Sequence, residues 1–175
     1  MNGRLPLLGC REEKPSYSSW QSASTVRDRL ARITHMRVLA VAGMMNAIEQ
    51  IVEKLRKYPH LKFELGESSI TVQPTSSQGF TVGLEITGSR HTVFFNGWHE
   101  DFQGQEEALD CFAFGLSDEC RLKECRRGSF AYRWTVESKQ NGEWVADSET
   151  GLFLFPFWKT KTVRYLQNDL ITSAE

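Results

Sequence analysis

An imidazole and two carboxylates follow one another at His99, Glu100 and Asp101, directly after the indole of Trp98. Side chains of these types carry out general acid and base catalysis and also bind metal ions. They stand between a predicted strand and a predicted helix, so the sequence predicts a loop. One hypothesis is a small enzyme that uses His99 with Glu100 or Asp101. The structural alternative is that Asp101 caps the next helix and Trp98 closes the edge of the core.

The other histidines and the cysteines do not extend this segment into a metal centre. No second histidine or cysteine stands at a recognised ligand spacing from His99, and the four cysteines lack a CxxC pair. We therefore expect no metal and no other cofactor. Cys111 falls on the apolar side of a predicted helix, where a free cysteine behaves as a small hydrophobe rather than a nucleophile. The cysteine pattern is typical of reduced thiols and predicts a cytoplasmic location.

Two helices are predicted, one well before the candidate residues and one directly after them. Asn46 can cap the first helix, which has apolar residues on one face and charged residues elsewhere. The second helix runs from about Gly104 to Leu116. It carries Glu106 and Glu107 in its first turn, where carboxylates interact favourably with the helix dipole. Each helix therefore has an apolar face that can pack against a sheet.

Short stretches with a two-residue period predict antiparallel strands around these helices. Four of them lie between the helices, at Leu61 to Leu65, Ser69 to Gln73, Phe80 to Ile86 and Thr92 to Phe95. After the second helix, a strand at Cys120 to Arg126 leads into an aromatic meander from Gly128 to Leu166. Within this meander, Asn141 and Gly142 are the residue pair that most readily forms a tight hairpin turn.

The order of the elements predicts an α+β protein, in which two helices pack on one face of a twisted antiparallel sheet. A helix followed by four strands occurs twice, so we also consider a pseudo-duplicated topology. The single domain is expected to span residues 44–170 and to be followed by a tail at residues 171–175. Residues 1–43 have a net charge of +4 and are rich in serine. They are expected to form a disordered or weakly helical extension, with a non-native upstream segment as the alternative.

The overall charge argues against strongly electrostatic partners. The chain has 21 basic and 22 acidic residues, and it has no apolar run long enough to span a bilayer. We therefore expect neither nucleic acid nor a membrane as a partner. The basic and aromatic stretch from Arg121 to Trp134 suggests a platform for single-stranded nucleic acid, but nearby glutamates dilute its charge.

The apolar stretch from Leu152 to Trp158 is the basis of the main functional hypothesis. Alternation places Phe153, Phe155 and Phe157 on one side and equally apolar residues on the other. Two helices cover only one face of a sheet, so these phenylalanines require another cover. The candidates are the N-terminal segment, a second subunit and an apolar ligand. The sequence thus predicts a small soluble binding module, with Trp98 as a further binding residue, whose partner is another protein, a second copy or an apolar molecule.

Overall fold

The computed structural model describes residues 45–170, which form two helices and two antiparallel sheets. The predicted α+β class is confirmed. The predicted extension at residues 1–43 and the tail at residues 171–175 lie outside the described residues. Five strands follow the first helix and four follow the second, and each set forms its own sheet. Because the two sheets differ in strand number and order, the pseudo-duplication is not confirmed.

The first helix, α1, spans Ala47–Leu55 and is capped by the predicted residue. The Asn46 side chain accepts a hydrogen bond from the N–H of Glu49 at 2.9 Å, and the Glu49 carboxylate accepts one from the N–H of Asn46 at 2.9 Å. This reciprocal pair satisfies N–H groups that the first turn of a helix leaves without partners. Ala47, Ile51 and Leu55 form the buried face, as the apolar stripe in the sequence indicates.

The first sheet is a meander in which each strand pairs with the next along the chain. Its five strands are β1 (Phe63–Leu65), β2 (Ser69–Val72), β3 (Val82–Thr87), β4 (Arg90–Phe95) and β5 (Trp98–Phe102). The four predicted strands are present with small shifts at their ends, and β5 is an additional strand. Alternation buries Leu84 on β3 and both Val93 and Phe95 on β4, which gives the sheet one apolar face.

The second helix, α2, spans Gln105–Leu116 and packs against β3, β4 and β5. A Cβ atom at Gly115 would overlap the ring of Phe95. The glycine therefore lets the helix approach the sheet closely. Helix α1 packs against α2, and its buried residues belong to the same hydrophobic cluster.

The second sheet contains β6 (Cys120–Arg127), β7 (Phe130–Gln140), β8 (Glu143–Gly151) and β9 (Lys161–Gln167), in the spatial order β8-β7-β6-β9. Asn141 and Gly142 connect β7 to β8 with φ angles of 53° and 85°, so the predicted hairpin turn is confirmed. Strand β8 ends opposite Arg133 and β9 begins opposite Arg127. The connection from β8 to β9 therefore crosses the sheet at the end that carries the β6–β7 turn.

The two sheets and the helices share one hydrophobic core. Leu122 and Leu166 of the second sheet belong to the same buried cluster as Phe95 of the first. Gly97 lies in the turn between β4 and β5, where a Cβ atom would overlap the indole of Trp134 on β7. The missing side chain therefore allows this turn to lie directly on the second sheet.

A buried asparagine ties the end of the described chain to the rest of the fold. Asn168 is 2% exposed. Its Oδ1 accepts a hydrogen bond from the N–H of Phe80 at 3.1 Å, and its Nδ2 donates to the carbonyl oxygens of Phe80 at 3.0 Å and Gly115 at 2.9 Å. These bonds connect the segment after β9 with the segment before β3 and with α2. Because a buried amide is costly unless its polar atoms are paired, they also specify this arrangement.

Replacing Asn168 with alanine is expected to lower the free energy of unfolding by roughly 3 kcal/mol, because polar backbone groups of Phe80 and Gly115 would lose buried partners. Urea denaturation followed by circular dichroism measures this change. The matched control is Asp169→Ala, since Asp169 is the exposed neighbour. Equal losses in the two variants would contradict the role assigned to Asn168.

Candidate functional site

The candidate catalytic residues lie on a strand, and the prediction of a loop is wrong. Strand β5 pairs with β4 so that His99 stands opposite Phe94 and Asp101 stands opposite Thr92. The two strands are joined by Asn96 and Gly97, and Asn96 has a φ of 51°. An Asn-Gly pair is itself a hairpin signal, so the polar residues after it continue as a strand.

Strand geometry separates the three polar side chains. Successive residues of a strand point to opposite faces, so His99 and Asp101 share one face while Glu100 is on the face of Trp98. All three polar residues are exposed. The structure therefore separates His99 from Glu100 and leaves Asp101 as the candidate acid or base partner on the face of His99.

Asp101 makes cross-strand contacts instead of capping the helix. Its carboxylate accepts a hydrogen bond from the hydroxyl of Thr92 at 2.6 Å and lies 3.5 Å from the guanidinium of Arg90. Both partners stand on β4, and this exposed ion pair contributes at most about 1 kcal/mol to stability. The cap of α2 is Gly104, without a side-chain hydrogen bond, so the predicted capping role of Asp101 is wrong.

Trp98 belongs to the core. Its ring is buried and stacks on Phe95 with the ring centroids 4.7 Å apart. Stacked aromatic pairs of this kind stabilise a core beyond the area that they bury. The indole is therefore not part of an exposed surface, although the sequence suggested it as a binding residue.

The thiols of Cys111 and Cys120 are buried and protonated. Burial raises the pKa of the Cys111 thiol well above its ordinary value, and the negative charges of Glu100 and Asp110 raise it further. Burial also raises the pKa of Cys120, with smaller contributions from Cys111 and Asp147. A catalytic cysteine requires an accessible thiolate, so these surroundings match the predicted role of Cys111 as a small hydrophobe.

Glu124 is a buried carboxylate that the sequence did not distinguish from its neighbours. It accepts a hydrogen bond from the indole N–H of Trp134 at 3.1 Å and another from the guanidinium of Arg126 at 2.8 Å. These partners satisfy the buried charge. Within residues 45–170, no three His, Cys, Asp or Glu side chains are grouped as metal ligands.

The predicted basic and aromatic platform is engaged within the chain. Tyr132 and Trp134 are buried. Arg121 forms an ion pair with Glu137 and lies over the rings of Trp144 and Tyr165, at 4.5 and 4.4 Å from their centroids. These contacts are favourable cation–π interactions. The guanidinium and the buried rings are therefore not a free stacking surface for nucleic acid bases.

Residues 152–158, here named the apolar crossover, connect β8 to β9 and belong to neither sheet. Phe153 is 100% exposed, Leu154 89%, Trp158 73% and Phe157 71%. The strand alternation predicted for this stretch is wrong. Pro156 cannot donate to a strand ladder, and its carbonyl accepts a turn hydrogen bond from the N–H of Lys159 at 3.0 Å.

Phe155 is the aromatic residue of the apolar crossover that contacts the second sheet. Its ring stacks on the buried ring of Tyr132 with the centroids 4.2 Å apart. Tyr132 occupies a β-bulge, because Cys125 pairs with Arg133 and Arg126 pairs with Ala131. Bulges redirect side chains, and the sequence has no signal that identifies this one. The cover expected over Phe155 is thus supplied by β7 of the same chain.

Hydrogen bonds fix both ends of the apolar crossover. The N–H of Leu152 donates to the carbonyl of Tyr132 at 2.8 Å. Beyond the other end, the N–H of Gly128 donates to the carbonyl of Thr160 at 3.0 Å, and the Arg127 guanidinium donates to the carbonyl of Lys159 at 3.0 Å. The segment is therefore held against the β6–β7 turn while Phe153, Leu154, Phe157 and Trp158 remain exposed to water.

Comparison with known proteins gives no match for this chain. No protein-family model matches it, and no curated protein sequence or solved structure matches it. Of the helices in residues 45–170, none is long and apolar enough to cross a membrane. Within residues 45–170, the apolar crossover contains the most exposed large apolar side chains.

The thiols of Cys111 and Cys120 are expected to resist alkylation in the folded chain and to react after unfolding. Each pKa lies above the ordinary value of 9.0, so ionisation favours the unfolded chain. Their contribution to stability is complete below about pH 9 and decreases as the pH rises further. Iodoacetamide labelling with peptide mass mapping identifies the modified residues. Rapid labelling of Cys111 in folded protein at neutral pH would contradict this assignment.

Proposed function

We propose that this chain is a binding module that contacts its partner through the apolar crossover. The observation that carries the proposal is the exposure of neighbouring large apolar side chains at Phe153, Leu154, Phe157 and Trp158. Single exposed apolar residues are common on protein surfaces, but a continuous group of them marks an interaction surface. Contact with a partner would remove this group from water.

The attachment of the crossover supports a recognition role. Hydrogen bonds hold the crossover at Leu152 at one end and at Lys159 just beyond the other end. Between them, Phe155 stacks on Tyr132. Ordering a loose segment on binding costs conformational entropy and therefore reduces affinity. A segment that is already fixed avoids part of this cost. The rings of Phe157 and Trp158 also contact each other edge to face, with their centroids 5.1 Å apart. This contact limits their rotamers.

The proposed partner is another protein or an apolar small molecule, with a second copy of the chain as the third alternative. We propose a cytoplasmic location for this contact. Cys111, Cys120 and Cys125 are free and buried, which supports a reducing compartment. A catalytic role for His99 with Glu100 or Asp101 has no comparable support, because Glu100 is on the opposite face of β5 and the Asp101 carboxylate is engaged by Thr92 and Arg90.

A photo-crosslinking amino acid at position 153 tests this function in cells that express the full chain. Benzoylphenylalanine in place of Phe153 is expected to form covalent adducts, because this position is the most exposed of the crossover. The matched control has benzoylphenylalanine in place of Glu67, an exposed residue between β1 and β2. Adding Phe157→Ser and Trp158→Ser should reduce the adducts at position 153 by at least about tenfold. Burial of one aromatic side chain contributes more than about 1.4 kcal/mol to the free energy of binding.

The outcome that would contradict the proposal is an adduct yield at position 153 no higher than at position 67. Phe155 is unsuitable as a test position, because its ring packs on Tyr132 and its replacement would also destabilise the fold. Circular dichroism of each variant checks that the second sheet is intact.

A further inference from the structure

Several basic residues lie at the end of the second sheet that carries the apolar crossover. Residues 45–170 contain fourteen Lys and Arg and eighteen Asp and Glu. Residues 126–133 and 159–161, which lie at this end, contain five of these basic residues and no acidic residue, although Arg126 and Arg133 are paired with Glu124 and Glu149. An acidic chain therefore presents a local positive potential next to its exposed apolar side chains.

Three of these charges, here named the basic rim, are Arg127, Lys159 and Lys161. Arg127 and Lys161 are paired positions of β6 and β9, and the Arg127 guanidinium donates to the carbonyl of Lys159. None of the three forms an ion pair with a carboxylate of residues 45–170. By contrast, Arg126 is paired with Glu124 at 2.8 Å. The basic rim thus keeps its positive charge beside the apolar crossover.

We infer that the apolar crossover and the basic rim bind an anionic lipid surface. The inference rests on the proposed function and names the partner of the same surface. Aromatic side chains settle at the boundary between lipid headgroups and hydrocarbon, and neighbouring Lys and Arg attract anionic headgroups. Trp158, followed directly by Lys159, has this arrangement in a segment fixed to a rigid sheet.

Charge disfavours two candidate partners for this surface, namely a second copy of the chain and the chain's own N-terminal extension. A symmetric contact between two copies would bring the basic rim of one against the basic rim of the other. The extension at residues 1–43 has a net charge of +4, so it too is repelled. A negatively charged partner is not repelled by the basic rim.

Shape favours lipid over an acidic protein. Phe153 is wholly exposed, so the chain forms no groove around it, and a protein partner would have to provide one. A lipid surface accepts a projecting apolar tip without a matching cavity. Membrane partners were not expected from the sequence, because the net charge of −1 conceals the separation of the charges. The cytoplasmic leaflet is the anionic one, which fits the proposed location.

Sedimentation of the full chain with sucrose-loaded vesicles tests the inference. Vesicles of about one-third phosphatidylserine in phosphatidylcholine should bind the protein, whereas pure phosphatidylcholine should bind it at least about tenfold more weakly. The double variant Phe153→Ser, Leu154→Ser should lower the partition coefficient by about tenfold or more. Lys159→Gln with Lys161→Gln should lower it by about fivefold for each charge and reduce its dependence on salt.

Matched controls separate the crossover from the rest of the chain. Leu65→Ser removes an exposed apolar side chain from β1, and Lys57→Gln removes an exposed charge after α1; neither should change vesicle binding. If the crossover variants bind vesicles as well as the wild type, then another region, such as the basic extension, is responsible and the inference is wrong. Absence of vesicle binding together with protein adducts at position 153 would overturn the inference while leaving the proposed function intact. Absence of both would overturn both.

Discussion

The contact between Trp134 and Gly97 determines how the two sheets meet. The indole lies against the turn between β4 and β5, and its N–H donates to the buried carboxylate of Glu124 at 3.1 Å. One side chain thus combines a close apolar contact between the sheets with a polar bond inside the second sheet. Because the surroundings are dry, the hydrogen bond is strong and its loss would be costly. Phe95 and Trp98, on either side of that turn, stack with their ring centroids 4.7 Å apart.

The order of strands in the second sheet explains why the apolar crossover exists. Strands β8 and β9 are at opposite edges, so the chain between them has to cross the end of the sheet. Polar residues with a few turn formers would make this connection equally well. The core is formed by the inner faces of the sheets and by the two helices, and Phe155 is the crossover side chain that stacks on the second sheet, against Tyr132. Phe153, Leu154, Phe157 and Trp158 remain exposed, and for this reason we propose that they contact a partner.

Local signals in the sequence were sufficient for most elements. The cap at Asn46, the turn at Asn141 and Gly142, and the alternation along β3 and β4 depend on residues close together in the chain, where propensity and period act directly. The same logic, applied fully, would also have identified β5, because Asn96 and Gly97 form the same kind of hairpin pair. Polar residue types suggested a loop there, although an exposed strand face is equally polar.

The sequence by itself determined the α+β class, the two amphipathic helices and the presence of an apolar stretch without an evident cover. Only the tertiary structure decided which residues of that stretch are covered, because the bulge that presents Tyr132 to Phe155 depends on the pairing of β6 with β7. It also decided that Glu100 is separated from His99 and that Asn168 joins segments 88 residues apart. Pairing between distant segments is set by the packing of the whole core, and no local period contains that information.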